Sequence, residues 1–422
     1  MVRYNWLLVT FLVVFVAAAL FRLLLTRMNV NHLRRHGHKA PAVFAGEIDE
    51  GTLSLMTDYT SESARFGSLE GIFDDALILA ILLSGLLPWL LGLIIALKLH
   101  FILSGLIFFG VLALLGSILG IPFDLYSQFV IEKKHGFSTM TIKLWIADFI
   151  KSFLISAILM AILMGAFLAL LHYAPNSWWF WIWIVFASFQ LLMLWLYPLV
   201  IAPLFNKFEP VRNEGLKEAI TTMMAKVGLK TQGVYQVDAG KRSKHTNAYF
   251  SGMGKSKRIV LYDTLLASHT DEEIISVLAH EIGHWKKKHI AKQLVFIELA
   301  SLLVFYIFYR LVDWPLLYRT FGFEQAVPYV GLFLLAVVLS PLTIFFIPIG
   351  AMFTRKFERE ADDFVHHLTG TSLPMCNALK RLAKDNLSNL FPHPFYAWFY
   401  YSHPPLLERI SRLMEMENKP RL

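Results

Sequence analysis

The sequence has very little cysteine, since Cys376 is the only one among 422 residues. A single thiol forms no disulfide within the chain and cannot build a cysteine-rich metal site. Any metal would therefore be held by histidines and carboxylates. Charge is also scarce, because Asp, Glu, Lys and Arg together make up 17% of the residues. Disordered chains need low hydrophobicity and disulfide scaffolds need many cysteines, so both classes are excluded.

Long apolar runs are what the chain has in abundance. Hydrophobic residues account for 56% of it, which is more than soluble domains carry. A helix that crosses a bilayer needs roughly 20 mostly apolar residues. Seven stretches are long enough, at residues 5–25, 75–97, 100–122, 145–171, 177–201, 290–312 and 326–352. We interpret the first as an uncleaved anchor because its apolar residues continue past a signal-peptide-like segment. The pattern is that of a polytopic membrane protein.

Lys and Arg are distributed unevenly between the connections. If the apolar segments alternate across the membrane, nearly all of these residues fall on one side, in residues 26–74, 123–144, 202–289 and the tail after 352. The positive-inside rule makes that side cytoplasmic, with the N-terminus outside and the C-terminus inside. The net charge of +8 then serves orientation and contact with anionic lipid. We therefore expect no nucleic-acid partner.

The strongest chemical signal is the motif HEIGH at residues 280–284. A threonine and three acids at 270–273 precede it and are typical of a helix start. Positions i and i+4 of a helix share one face, so His280 and His284 can reach a single metal while Glu281 lies beside it. This spacing is typical of zinc metalloproteases, whereas the plainer interpretation is an ordinary polar helix face.

Catalytic zinc needs three protein ligands and an open position, so a further side chain is required. A compact acidic cluster, EREADD at residues 358–363, follows the seventh apolar segment on the same side of the membrane. Glu358 and Asp362 would share a helical face, one as the third ligand and the other as an acceptor for a ligand's imidazole N–H. Glu360 is a competing ligand, and a charged interfacial helix without metal is the plainer interpretation.

The cytoplasmic connection before the motif is long enough to fold. Its pattern predicts a helix from Glu214 to Val227, strands at 233–237 and 258–262, and a strand followed by a turn at 247–252 between them. The fold class is therefore an all-α polytopic membrane protein whose cytosolic part contains a small β-sheet. We divide the chain into residues 1–201 with transmembrane helices 1 to 5, 202–289 with the zinc-protease region, 290–352 with helices 6 and 7, and 353–422 with the helical region that carries the third ligand.

Several motifs occur together in one order along the chain. They are IEKKHGF at 131–137, NAY at 247–249 with RIV at 258–260 and DTL at 263–265, HEIGH at 280–284, TRKFEREAD at 354–362, and SHPPLLER at 402–409. Together they resemble the type I CaaX prenyl protease family, the integral-membrane zinc endopeptidases that process the yeast a-factor pheromone and, in animals, prelamin A. The resemblance covers most of the chain, from the second apolar segment to Arg412.

The resemblance implies a role for each matching residue. One zinc ion per chain would be held by His280, His284 and Glu358, with Glu281 as general base and Asp362 supporting the site. The remaining implied roles are an edge-strand contact with the substrate backbone for Asn247, stabilisation of the oxyanion for His403, and substrate binding for Arg409. From the residues alone, Asn247 is as well explained as a turn or capping residue, and His403 as a turn residue fixed by prolines.

The resemblance also implies a fold and partners. In this family seven long helices enclose a large water-filled chamber, which the zinc domain caps on the cytosolic side. The substrate would be a peptide or a lipidated protein at the bilayer, cleaved by a zinc-activated water, and we expect a monomer. The compact length and short tail, without an obvious dilysine signal, favour a bacterial homologue in the inner membrane over an endoplasmic reticulum protein.

Two other functions compete with this interpretation. One is a heat-shock-type membrane-protein quality-control protease, which shares the zinc motif but is usually shorter and has fewer spanning helices. The other is a transporter-like membrane protein with a vestigial zinc site. Bound zinc together with peptide cleavage would separate the protease interpretations from the transporter.

Overall fold

The computed structural model describes residues 2–229, 233–251 and 258–418, most of them in helices. The helices, in chain order, are α1 (Trp6–His36), α2 (Glu50–Leu83), α3 (Leu86–Ala96), α4 (Phe101–Tyr126), α5 (Glu132–Lys134), α6 (Ile142–Tyr173), α7 (Trp178–Leu196), α8 (Ala202–Phe205), α9 (Glu214–Lys226), α10 (Asp263–Ser268), α11 (Asp271–Lys286), α12 (His289–Leu311), α13 (Pro315–Thr320), α14 (Pro328–Leu339), α15 (Ile347–Thr369), α16 (Leu373–Asp385), α17 (Pro394–Tyr400) and α18 (Leu406–Glu417). The all-α prediction is confirmed.

Four short strands form one mixed sheet in the part of the chain that the structure describes. They are β1 (Phe208–Pro210), β2 (Val234–Val237), β3 (Ala248–Ser251) and β4 (Arg258–Tyr262), in the spatial order β1-β2-β4-β3. β2 and β4 pair in parallel, and β3 pairs with β4 antiparallel. The three predicted strands are confirmed, but the turn predicted around Gly252 lies outside the described residues. β1 was not predicted because three residues are too few for an alternating pattern.

Within the described residues, six helical stretches are long and apolar enough to cross a bilayer: Trp6–His36, Phe101–Lys134, Ile142–Tyr173, Trp178–Phe205, His289–Leu311 and Pro328–Thr369. The stretch predicted at 75–97 is not one straight helix. It is shared by α2 and α3, which are bent by 57°. Gly85 has a φ of 84° at this bend, a left-handed conformation that suits glycine and ends a helix. The count of spans is seven if this bent pair crosses as one.

The spanning helices pack as a ring. Along the ring, α1 packs on α2, α2 on α3, α3 on α4, α4 on α6, α6 on α7, and α7 on α12. The ring closes because α12 contacts α14, which reaches α1 through α13 and the 3-10 turn at Ser340–Phe346. No residue in the most apolar stretch of α7 or α12 is buried. A helix inside a solid bundle buries a stripe along one side. These helices therefore have one open face towards lipid and another towards space inside the ring, which matches the expected chamber.

A compact core, separate from the hydrophobic cluster between the spanning helices, positions the motif helix. It joins buried residues of α9, the sheet, α11, α15, α16 and α18, among them Ile220, Leu261, Leu278, Val365 and Ile410. α11 and α15 make the most extensive helix contact in this core. The histidine motif of α11 and the acidic cluster of α15 thus lie on two helices that pack directly on each other.

Candidate metal centre

Helix α11 begins where the sequence pattern predicts. Thr270 caps it, because its hydroxyl accepts from the backbone N–H of Glu273 at 3.3 Å while its own N–H donates to the Glu273 carboxylate at 2.9 Å. The reciprocal bonds satisfy two free donors at the helix start. From this start, residues 280, 281 and 284 fall in the last two turns of the helix.

The glycine inside the HEIGH motif allows α11 to approach α15 closely. A Cβ atom added to Gly283 would lie 3.0 Å from the Cα of Ala361 and 3.1 Å from the Cβ of Phe364. Such contacts are tighter than most that Cβ atoms make, so the glycine lets the two helices approach closely here. The close approach brings Glu358 within reach of the two motif histidines.

Three potential ligand atoms converge between α11 and α15. The Nε2 atoms of His280 and His284 are 3.1 Å apart, and the carboxylate oxygens of Glu358 lie 3.3 Å from the first and 3.2 Å from the second. A tetrahedral zinc site with bonds of ~2.0–2.1 Å has edges of roughly 3.3–3.4 Å between ligand atoms. Among the described residues these three form a cluster able to hold a metal. The donor set fits zinc, and the ligand atoms, one from each residue, lie within 4.8 Å of one another.

A buried ion pair supports His280. Its Nδ1 lies 2.8 Å from Asp362, and Arg409 donates to the same carboxylate through Nη2 at 2.7 Å and Nε at 2.9 Å. Asp362 is 1% exposed. Burial disfavours the charged ring, yet Asp362 and Glu358 outweigh it and raise the pKa of His280 to about 9. The contact with Asp362 engages Nδ1, so Nε2 is the ring nitrogen that faces Glu358 and a metal.

The contacts of Arg409 differ from the role that the resemblance implied. Its side chain is 10% exposed, and Nη2 also lies 3.8 Å from Glu358. The guanidinium is thus directed at two buried carboxylates, which would otherwise repel each other. This position suits neutralisation of the site better than contact with a substrate.

His284 is supported by a second pair, His289 and Glu360. The Nδ1 atoms of His284 and His289 are 3.0 Å apart, and Nε2 of His289 lies 3.0 Å from Glu360. His289 is 1% exposed and stacks on Phe357 with 4.3 Å between ring centroids. Glu360 therefore faces His289 and not the cluster of ligand atoms.

Sequence reasoning missed His289. It is five residues after His284, a spacing that does not place two side chains together on one helix. The backbone turns at Lys288, whose φ is 57°, and this turn brings the first residue of α12 back against His284. A histidine closely following the motif was the available signal, but the left-handed turn is not readable from the sequence.

Glu281 lies beside the ligand cluster on α11. Burial raises the pKa of its carboxyl above the ordinary value, although His280 and His284 act in the opposite direction. A carboxylate with a raised pKa is a stronger proton acceptor than an exposed glutamate.

His403 lies on the open side of the cluster. Its Nε2 is 3.3 Å from Glu358, and 58% of the side chain is exposed. The hydroxyl of Ser402 is 2.9 Å from Nδ1. Partial removal of the His403 ring from water lowers its pKa, although the charge of Glu358 acts in the opposite direction. The lowered pKa favours the neutral form of the ring. If the Ser402 hydroxyl donates to Nδ1, the proton of the neutral ring is on Nε2, directed at the cluster.

Asn247 immediately precedes β3, the last strand in the sheet order. Its side-chain oxygen accepts from the N–H of Ala248 at 2.8 Å, which is the local contact of a turn or capping residue. β3 also packs on the motif helix α11. The described strands thus leave the outer edge of β3 without a partner, close to the helix that carries the histidines.

The chain is similar to known membrane proteases along almost its whole length. Residues 29–207 match the family model described as CAAX prenyl protease N-terminal, five membrane helices, and residues 210–417 match peptidase family M48. CAAX prenyl protease 1 of Saccharomyces cerevisiae is 32% identical over 407 residues, which cover 90% of each chain. The Oryza sativa homologue is 37% identical over 75% of each chain.

A human relative and a solved structure agree with these matches. The CAAX prenyl protease 1 homologue of Homo sapiens is 30% identical, covering 88% of this chain and 87% of its own. The crystal structure of S. mikatae Ste24p superposes with a TM-score of 0.91 at 32% identity, and the match covers 97% of this chain and 99% of the other. Both the ring of spanning helices and the core around the motif helix are therefore shared.

Proposed function

Because the chain belongs to the CAAX prenyl proteases of peptidase family M48, we propose that it cleaves peptide bonds in prenylated, CaaX-type or other membrane-associated substrates. The protein is a multi-pass membrane metalloendopeptidase. The observation that carries the proposal is the convergence of His280, His284 and Glu358 beside Glu281, at distances of 3.1 to 3.3 Å between ligand atoms.

The metal of this site is zinc, one ion per chain, held by His280, His284 and Glu358. When bound, zinc polarises a carbonyl and lowers the pKa of a water molecule. Asp362, whose carboxylate lies 2.8 Å from Nδ1 of His280, holds the ring by this charge contact, and Arg409 neutralises the buried carboxylates. Oriented ligands of this kind bind metal more tightly than free imidazoles.

The side chains around the metal carry the proton transfers. Glu281 accepts a proton from the attacking water and passes it to the leaving amine, because its raised pKa lies closer to neutrality than that of an exposed glutamate. His403, neutral and with its proton on Nε2, donates to the oxygen on which negative charge develops. Its exposed side faces the space that a substrate would enter.

The edge strand β3 holds the substrate backbone. An extended peptide gains affinity by adding main-chain hydrogen bonds to an unpaired strand edge. Asn247, at the start of this edge, would add one donor and one acceptor when its side chain turns from its own backbone towards the peptide. Peptide and bilayer are the partners that the protein needs, and we expect it to act as a monomer without nucleic acid.

Charge distribution supports an orientation with the site facing the cytosol, the N-terminus outside and the C-terminus inside. Cysteine labelling tests this arrangement. A cysteine replacing Ser177 should react with a membrane-impermeant reagent from outside, whereas one replacing Lys287 should react only from the cytosolic side. The reverse pattern would refute the orientation.

The proposed activity is tested with purified, zinc-loaded protein and two peptides, a farnesylated CaaX peptide and its unprenylated twin. Mass spectrometry should detect cleavage products of the farnesylated peptide. Glu281→Gln should keep its zinc and lose roughly 10²–10⁴-fold in turnover. Absence of products from both peptides would refute the proposed substrate class, and equal turnover by Glu281→Gln would refute its role as base.

A further inference from the structure

A long apolar cavity begins beside the metal centre. Its volume is about 1070 Å³, and it runs between α6, α7 and α12. His284 and Trp285 are among its lining residues, together with Tyr249 and Phe250 of β3. The cavity is therefore continuous with both the candidate metal ligands and the strand that we propose to hold the substrate.

The walls of this cavity suit a hydrocarbon chain better than a polar group. Phe186, Phe189, Leu194 and Leu294 are among the lining residues. Two polar lining groups already have partners, since the amide of Gln190 donates to Glu298 at 2.8 Å and the ammonium group of Lys286 donates to the carbonyl of Val227 at 3.1 Å. Neither needs a ligand to satisfy it, so the site offers mainly apolar contact.

The dimensions exceed those of a pocket for one peptide side chain. The lining residues of α7 and of the helical turn that follows it extend from Phe186 to Pro198, which corresponds to about 18 Å of helix. Drug-sized ligands occupy pockets of roughly 300–1,000 Å³, so the volume fits a complete lipid chain. Because α6, α7 and α12 are membrane-spanning helices, a chain lying between them stays at the depth of the bilayer.

We propose that this cavity, the prenyl groove, binds the isoprenoid chain of the substrate while the attached peptide lies on β3. The inference rests on the proposed function and adds the place where the lipid is recognised. Because the prenyl groove lies next to His284, the lipidated residue is held close to the bond that is cleaved. Specificity for a prenylated peptide then comes from the groove and not from the metal ligands.

Two leucines on α7 provide a matched pair of variants. Leu194 lines the groove, whereas Leu192 does not, and their exposed fractions are 37% and 49%. Leu194→Trp should fill the groove and lower the ratio of kcat/KM for the farnesylated peptide over its unprenylated twin by at least about tenfold. Leu192→Trp should leave this ratio within about twofold. An unchanged ratio in Leu194→Trp, or an equal fall in Leu192→Trp, would overturn the proposal.

A crosslinking experiment tests the groove without relying on turnover or on a variant that folds. A farnesylated CaaX peptide with a benzophenone at the end of its isoprenoid is irradiated with the wild-type protein, and the modified residues are mapped by mass spectrometry. We expect labels in residues 186–198 and 290–294, removed by excess unlabelled farnesylated peptide. Labels elsewhere, or labels that bilayer phospholipid removes equally well, would overturn the assignment. If the peptide is bound in the groove but never cleaved, the proposed function fails while this inference stands.

Discussion

The two histidine ligands are held by two different supports. His280 contacts Asp362, which accepts two hydrogen bonds from Arg409. The side chain of Asp362 is 1% exposed and that of Arg409 is 10% exposed. His284 contacts His289, whose other nitrogen reaches Glu360, a side chain that is 30% exposed. The first support is a buried ion pair in the core, whereas the second leads from a buried ring to a carboxylate near solvent.

This difference predicts whether the loss of each support lowers folding stability, zinc affinity or both. A buried charge that loses its partner cannot recover its hydration, so its removal affects folding as well as metal binding. A carboxylate near solvent is rehydrated when its partner is lost, and the cost is then confined to ligand orientation. The support of His280 should therefore influence stability and zinc together, and that of His284 should influence zinc alone.

The largest effect should come from breaking the buried support at Arg409. Arg409→Met leaves the buried Asp362 without its guanidinium partner, which should cost about 3–5 kcal/mol of folding free energy. Thermal unfolding in detergent and elemental analysis of zinc should both show the loss. As a control, the double variant with Asp362→Leu should recover much of the melting temperature, because the pair is then replaced by apolar groups. A single variant with wild-type stability would contradict the distinction between the supports.

A substitution at the helix crossing should damage both supports at once. Gly283→Ala places a Cβ atom 3.0 Å from the backbone of Ala361, and relief of such overpacking typically costs about 1–3 kcal/mol. We expect a lower melting temperature and weaker zinc binding together. Gly350→Ala, on α15 where an added Cβ meets no atom within 4 Å, is the matched control. Zinc affinity unchanged despite a lower melting temperature would show that the crossing does not set the ligand geometry.

The second support should respond in zinc affinity alone. His289→Phe keeps the ring volume and the stacking on Phe357 but leaves Nδ1 of His284 without its partner. Loss of such an outer partner typically lowers metal affinity by about 10–100-fold. Competition with a chromogenic chelator measures the affinity, and the melting temperature of chelator-treated protein should change little. A large loss of stability instead would make the two supports equivalent.

The local part of the site was predictable, because the i, i+4 spacing of His280 and His284 fixes their common face whatever the tertiary structure. Helical spacing also selected Glu358 and Asp362 as a pair, but it could not order them, since both lie on one face. Only the packing of α15 on α11 distinguishes the carboxylate near both Nε2 atoms from the one behind His280. Contacts between distant segments, such as Arg409 with Asp362, depend on the complete core and leave no local pattern.

The elements that sequence reasoning misjudged depend on single backbone conformations. The bend between α2 and α3 occurs at Gly85, in a stretch whose composition alone reads as one apolar helix. His289 reaches His284 only because Lys288 adopts a positive φ, which is uncommon for a non-glycine residue. Hydrophobic periodicity reports which residues are buried on average, and it carries no information on such isolated turns.

The smallest effect should come from the outermost group of the second support. Glu360→Gln retains an oxygen that accepts from Nε2 of His289, so the ring orientation survives and zinc affinity should fall by no more than about threefold. Glu408→Gln, which alters an exposed carboxylate paired with Arg359 at 2.7 Å, is the matched control and should not change zinc affinity. Isothermal titration of zinc into both variants and the wild type measures the difference. If Glu360→Gln lost zinc as strongly as Glu358→Gln, Glu360 would itself be a ligand, and the second support would have to be replaced by a direct metal contact.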